Sequence, residues 1–200
     1  MSNRTLLYVF IVWCILTLIE YFLLPYFTLF WLGLSFVLAI VTIAYIIHLL
    51  TEIKLISKRR VLRVLMLIVM LYINYQGWIV HGYIEKLDWK IFYNKRISVI
   101  KQVEENKLSI NNRGVAKLPF SFPILSNGGN EIEIFQNKQT KTFTVTFWVY
   151  RNYFWRPSTC FIYTNDKEEV KELEEQIRDD PKNNWKIQDN WYRTLGFGDG

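Results

Sequence analysis

Few residues of this chain are of the types that carry out catalysis or hold a metal ion. The sequence has only two histidines, and its two cysteines, Cys14 and Cys160, are far apart along the chain. An ordinary zinc site needs four ligands drawn largely from these residue types, so the sequence does not indicate one. Cys14 lies in an apolar run and Cys160 in a polar region, so we do not expect a disulfide between them.

The common catalytic motifs are also absent from the sequence. It has no phosphate-cradling glycine loop, no nucleophile-elbow serine and no histidine–glutamate metalloprotease pattern. Gly128–Gly129 lacks the strand-to-helix context of a phosphate loop. The acidic run Asp166–Asp180 lacks the glycine turn and alternating ligands of a calcium loop. We therefore predict a protein that is not an enzyme and that uses no cofactor or metal.

The segment Arg151–Pro157 is the strongest candidate for a binding site. Aromatic residues and arginine dominate binding hot spots, and an exposed apolar loop tip normally marks a partner or a membrane. The alternative is that these rings fold back as core, because a small domain needs every large side chain. The predicted partner-binding residues are Arg151, Tyr153, Phe154, Trp155 and Arg156.

The strands that are predicted before and after Arg151–Pro157 must position this loop. Apolar and polar residues alternate in Glu131–Phe135 and again in Lys141–Tyr150, and Asn137–Thr140 between them is predicted to be a turn. A further strand, Thr159–Thr164, completes an antiparallel β-meander. In Lys141–Tyr150, one face should carry the apolar side chains of Phe143, Val145, Phe147 and Val149.

A helix is predicted to follow the meander, from Asp166 to about Asp179. Asn165 with Glu168 resembles a capping box. The apolar stripe of this helix is only Val170, Leu173 and Ile177, so it should cover one side of the sheet from a solvated position. The tail from Trp185 to Gly200 carries aromatic residues among polar ones and indicates no further regular element.

The amino-terminal half is dominated by three apolar runs, at about residues 6–24, 27–50 and 61–80. At 1.5 Å per residue, each is long enough to cross a hydrocarbon core of about 30 Å. Pro25 should end the first helix and create a tight hairpin. The predicted fold class is therefore a membrane protein with three transmembrane helices and a small α+β extracytoplasmic domain containing an antiparallel meander.

Basic residues around the third run determine the predicted orientation. The positive-inside rule places the basic loop in the cytoplasm. The amino terminus would then be cytoplasmic and the carboxy-terminal domain extracytoplasmic, in a multi-pass protein of the bacterial inner or plasma membrane. The topology determinants are Lys54, Lys58, Arg59, Arg60 and Arg63.

Three regions follow from this pattern: a transmembrane domain at 1–82, an amphipathic helix at 83–110 and an α+β domain at 111–200. Two placements of the middle helix stay open. It either continues the third span as a stalk, or lies on the membrane with Trp89, Phe92 and Tyr93 in the headgroups. Its apolar face is predicted to hold Ile84, Leu87, Ile91, Ile97, Ile100, Val103 and Leu108.

The charge balance excludes nucleic acid as a partner. Residues 1–82 hold six basic and two acidic residues, whereas the remainder holds 18 basic and 16 acidic ones. A domain that neutralises phosphates needs a basic face, and the polar half is close to neutral. The expected partners are the lipid bilayer and a membrane or secreted protein, with oligomerisation open.

The carboxy-terminal half contains several short motifs: the helix end at Lys107–Leu108, Leu118–Pro119, Leu125–Ser126 with Gly128–Gly129, the Phe161-Ile162-Tyr163 strand and Asn190-Trp191-Tyr192. On these motifs, about residues 95–195 resemble a group of uncharacterised bacterial extracytoplasmic proteins that are membrane-anchored or lipid-anchored. The resemblance implies a fold and a location, but no activity.

Three functions fit these expectations. The first is a non-enzymatic, membrane-anchored binding or accessory protein that presents its sheet and the 153–155 loop to another protein. The second is an immunity protein that protects the producing cell from a secreted toxin. The third is an accessory subunit of a transport or envelope enzyme whose catalytic part is another chain.

Overall fold

A helical region precedes a six-stranded antiparallel sheet. The computed structural model describes residues 3–51, 57–75, 77–119, 125–127, 129–137, 139–150 and 158–196. Contacts divide these residues into two compact units: those of 1–21 and 26–87, and those of 22–25 and 88–200. The elements are α1 (Asn3–Thr51), α2 (Lys58–Tyr75), α3 (Gly77–Glu104), β1 (Val115–Lys117), β2 (Glu131–Asn137), β3 (Thr142–Tyr150), β4 (Ser158–Thr164), α4 (Lys167–Asp179), β5 (Trp185–Gln188) and β6 (Trp191–Gly196).

The prediction of a membrane-spanning protein is wrong. Within these described ranges, no helix combines the length and the apolar character needed to cross a bilayer. This finding contradicts the predicted fold class with three transmembrane helices. It also contradicts the predicted multi-pass location in the bacterial cytoplasmic membrane. The positions at which the helices begin and end explain part of the difference.

The third predicted span, 61–80, is not a single helix. Helix α2 ends at Tyr75 and α3 begins at Gly77. Helix α2 starts before the predicted span, so four of its 18 residues are basic, a density of charge that makes a membrane span costly. Lys54 lies outside the described residues, and the basic residues at the start of α2 are Lys58, Arg59, Arg60 and Arg63.

Helix α1 replaces the first two predicted spans and the turn between them. It runs continuously through Pro25, because a proline removes one hydrogen bond and a long helix can absorb that loss as a kink. Val9 and Tyr45 would be about 54 Å apart along a straight helix. Both nevertheless pack against the same cluster of Trp13, Leu67 and Met70, so α1 must bend sharply between its two ends.

The second unit is built on the sheet, whose strand order is β1-β2-β3-β4-β6-β5. The predicted strands β2, β3 and β4 are confirmed, and they pair as an antiparallel meander. The hairpin β5–β6 was not predicted; it pairs antiparallel and joins the sheet through β6 and β4. One face of β3 is buried at Phe143, Val145 and Phe147, as the alternation indicated.

Helix α3 contributes its later part, from Asp88 onward, to this second unit. The Trp89 ring lies 4.9 Å from the Phe161 ring and 5.1 Å from the Trp191 ring, centroid to centroid. The Tyr93 hydroxyl accepts a hydrogen bond from Gln188 at 2.6 Å. Trp89 and Tyr93 therefore contact residues of the sheet strands, which differs from the predicted alternative that placed them in lipid headgroups.

A tight turn at Asn111–Gly114 precedes β1. The Asn111 side-chain oxygen accepts the backbone N–H groups of Arg113 and Val115, at 2.9 and 3.0 Å. Gly114 has a φ of +78°, and a Cβ at this position would lie 3.0 Å from the Ile134 carbonyl oxygen. Only glycine tolerates both conditions, so the turn needs this residue in order to place β1 beside β2.

Helix α4 and its N-cap each lie one residue later than predicted. Asp166, not Asn165, is the N-cap, and its carboxylate accepts the backbone N–H groups of Glu168 and Glu169. Asn165 instead accepts the Phe143 N–H at 2.7 Å. A hydrogen bond from the Thr142 hydroxyl is the main cause that lowers the pKa of Asp166, followed by the bond from the Glu168 N–H. These bonds fix the start of α4 to β3.

The Thr142→Val substitution is expected to raise the pKa of Asp166 toward its ordinary value. Because the pKa is lowered in the folded state, this bond adds stability above the ordinary value of about 3.9, and the stability is lost as the pH falls through the folded pKa. An NMR titration of the Asp166 carboxyl carbon measures the change. Thr146→Val, on the same strand, is the control, and an unchanged Asp166 pKa in Thr142→Val would contradict the assignment.

Candidate functional site

The predicted binding loop connects two paired strands. Its residues, from Arg151 to Arg156, lie outside the described residues, so their role stays a prediction. The strands on either side are described, and Tyr150 pairs with Thr159 at the end from which the loop leaves. Tyr150 and Thr159 thus lie side by side where β3 ends and β4 begins.

The buried polar residues Ser126, Asn127 and Asn130 lie in a loop that is hydrogen-bonded to the end of β3. Strand β3 has a bulge between Trp148 and Tyr150, and the backbone groups around it are paired with residues from far along the chain. The Asn127 N–H donates to the Trp148 carbonyl at 2.6 Å, and the Asn127 amide donates to the Val149 carbonyl. The Ser126 hydroxyl accepts the Trp148 N–H at 3.0 Å. These bonds hold Ser126 and Asn127 against the end of β3.

Asn130 organises the same loop. It has a φ of +61°, a conformation that asparagine adopts more readily than most residues. Its side-chain oxygen accepts the N–H groups of Leu125 and Ser126, at 2.9 and 3.1 Å, while its amide donates to the Pro119 carbonyl at 3.1 Å. The Leu125–Ser126 motif and Asn130 therefore have a structural role, which the sequence did not reveal.

A buried ion pair is the strongest charged feature of the second unit. Arg96 donates to the Asp88 carboxylate at 2.6 Å, and the two side chains are only 1% and 2% exposed. The same guanidinium donates to the Leu125 carbonyl at 3.2 Å and lies 4.9 Å from the centre of the Phe161 ring. Through these contacts Arg96 fastens α3 to the sheet, and at 1% exposure it is not presented to a substrate.

Arg193 on β6 is held in a comparable way. Its guanidinium lies 4.5 Å from the centre of the Trp185 ring. It donates to the Thr159 hydroxyl at 3.2 Å and to the Asn183 carbonyl. Arg193 thus connects β6 with β4 and with the turn before β5, which is a packing role.

The described residues show no arrangement that would hold a metal ion. No group of three or more histidine, cysteine, aspartate or glutamate side chains lies close enough together among them. Glu169 has a raised pKa because of burial and the nearby charges of Glu172 and Asp166, but it stands on the acidic surface of α4.

Exposed apolar side chains are concentrated on helices α1 and α2. Helix α2 buries Val64, Leu67 and Met70 on one side. Its opposite side, which we call the outer face of α2, is formed by Leu62, Leu65, Val69 and Tyr72, each between 52% and 60% exposed. Helix α1 exposes a similar set along its length, including Leu7, Ile11, Ile15, Leu18, Leu32, Phe36, Ile40 and Ile47.

Comparisons with known proteins assign no family to this chain. No family model matches it, and neither a curated protein nor a solved structure is significantly similar.

Proposed function

We propose that this chain is a non-enzymatic accessory protein that binds another protein through the outer face of α2. The observation that supports this is the apolar character of α2 on both of its sides. An exposed apolar face normally marks an interaction site. Among the described residues, the side of α2 with Leu67 and Met70 packs against other side chains of the chain, whereas the outer face is exposed. The outer face of α2 is therefore available to a partner.

The composition of the outer face fits a protein interface. Its four side chains follow a spacing of three or four residues, so they form one continuous face of the helix. Burying a leucine or valine side chain contributes about 1.5–3 kcal/mol, and Tyr72 adds an aromatic side chain, a type frequent in interface hot spots. Lys58 and Arg59 are exposed at the start of the helix and supply a charged border.

A double substitution on the outer face should remove the partner. In cross-linking from the source cells, the unaltered chain is expected to link to one other protein near Lys58. Leu65→Gln with Val69→Gln should reduce that product at least tenfold, because both side chains are more than half exposed and the change leaves the buried side of α2 intact. Mass spectrometry of the cross-linked peptides measures the loss and identifies the partner.

Phe135→Gln is the matched control, since Phe135 is a highly exposed apolar residue on β2, far from α2 in the sequence. It should retain the cross-linked product. Equal recovery from the double variant, or cross-links only to a second copy of the chain, would refute the proposal. The identity of the linked protein would then separate an accessory subunit from an immunity protein, whose partner is a toxin.

A further inference from the structure

Helix α3 carries a second exposed apolar row, distinct from the outer face of α2. Tyr83, Leu87 and Ile91 are 67%, 58% and 64% exposed. They follow one another at intervals of four residues, so they form a single ridge on the helix. The sequence pattern had placed Leu87 and Ile91 with the buried residues of α3. We call these three residues the α3 ridge.

We propose that the α3 ridge binds an acidic amphipathic helix of another protein. This goes beyond the proposed function, because it concerns a different surface and specifies the chemistry of its partner. Three observations support it: the exposed ridge, the charges beside it and the open space next to it.

The charges beside the ridge are all positive. Between Tyr83 and Ser98, every exposed charged side chain of α3 is a lysine. The acidic residues of the same stretch, Glu85 and Asp88, are buried. Oppositely charged surfaces favour association, and like charges disfavour it. The three lysines are Lys86, Lys90 and Lys95. A second copy of the ridge would place lysines opposite lysines, so the partner is a different chain with an acidic border.

The shape of the surface favours a helix as that partner. A single row of side chains at intervals of four residues is the ridge that fits between the side chains of a second helix. Gly82 lies beside the ridge, and a Cβ added there would have no atom within 4 Å, so a partner can approach closely. The ridge spans nine residues, a rise of about 12 Å, which suits recognition of two to three turns of helix.

Binding of two designed peptides tests the proposal with the full-length chain. One is a 21-residue amphipathic helix with a leucine stripe bordered by glutamates, and the other has lysines in place of the glutamates. Fluorescence anisotropy is expected to show at least tenfold tighter binding of the glutamate peptide, weakened by salt. Leu87→Gln with Ile91→Gln should weaken it at least tenfold, because two of the three ridge side chains are replaced.

Charge reversal tests whether the lysines beside the ridge, and not the net charge of the protein, determine which peptide binds more tightly. Lys86→Glu with Lys90→Glu should reverse the preference toward the lysine peptide. Lys171→Glu with Lys182→Glu, which alters exposed lysines elsewhere by the same charge, should not. Hydrogen exchange at the β3 and β4 amides verifies that each variant is folded.

Three outcomes would overturn the proposal. One is equal binding of the two peptides, and another is binding that the ridge variants leave unchanged. The third is association of the unaltered chain with vesicles of phosphatidylglycerol and phosphatidylcholine, lost in the ridge variants, with no binding of either peptide. That result would assign the ridge to a lipid surface.

Discussion

Replacing Asp88 with alanine is expected to destabilise the sheet unit by about 3–5 kcal/mol, because a buried charge is then left without its partner. Arg96 would keep its contacts with the Leu125 carbonyl and the Phe161 ring, but its charge could not reach water. A folded domain is stable by only about 5–15 kcal/mol, so the variant should be close to unfolding. Native-state hydrogen exchange at the Val145 and Phe161 amides measures the effect.

A double variant distinguishes the ion pair from simple loss of packing. Asp88→Leu with Arg96→Met replaces both charges with apolar side chains, and such replacements are often neutral or stabilising. Its loss should be clearly smaller than the sum of the losses for the single variants Asp88→Leu and Arg96→Met. Additive losses would show that the two side chains contribute independently, against the contact seen at 2.6 Å.

The sequence predicted the meander because its signal is local. Alternation in β3 placed Phe143, Val145 and Phe147 on one face, and all three are buried. The alternation fails at Trp148, which is also buried, because a bulge follows it. That bulge is stabilised by Ser126 and Asn127, some 22 residues earlier, so a reading of neighbouring residues could not reveal it.

The hairpin of β5 and β6 was missed for a related reason. Its residues are mixed polar and aromatic, so their pattern is weak. A signal was nevertheless present at Asp189-Asn190, since asparagine readily takes the positive φ of a tight hairpin turn, and Asn190 has a φ of +63°. The neighbours of Trp191 come from α3, β3 and β4, and their arrangement depends on the whole sheet.

The errors in the helical half concern where helices start and stop. Apolar composition correctly indicated helices, but it does not show whether a proline breaks one, and α1 continues through Pro25. Lys58 and Arg63 were assigned to the control of topology, although they lie in the first two turns of α2. The exposed side of α2 and the α3 ridge depend on which faces other elements cover, and this is decided only when the helices pack.

Trp191→Ala should cost the sheet unit about 3–5 kcal/mol, the usual loss when a large buried aromatic residue is truncated. The Trp191 side chain is 1% exposed. Its ring lies 5.1 Å from the Trp89 ring, 5.3 Å from the Tyr163 ring and 5.8 Å from the Phe147 ring, centroid to centroid. Truncation would therefore open a cavity where α3 meets the sheet, and hydrogen exchange at the β4 amides measures the loss.

Trp185→Ala is the matched control, because Trp185 lies on the neighbouring strand β5 and is 36% exposed. It should cost roughly 1 kcal/mol through its stacking with Arg193. If the two variants lose similar stability, Trp191 does not act as the centre of the aromatic core. A much larger loss for Trp191→Ala would show that the Asn190-Trp191-Tyr192 motif contributes to the fold, because Trp191 on β6 contacts α3, β3 and β4.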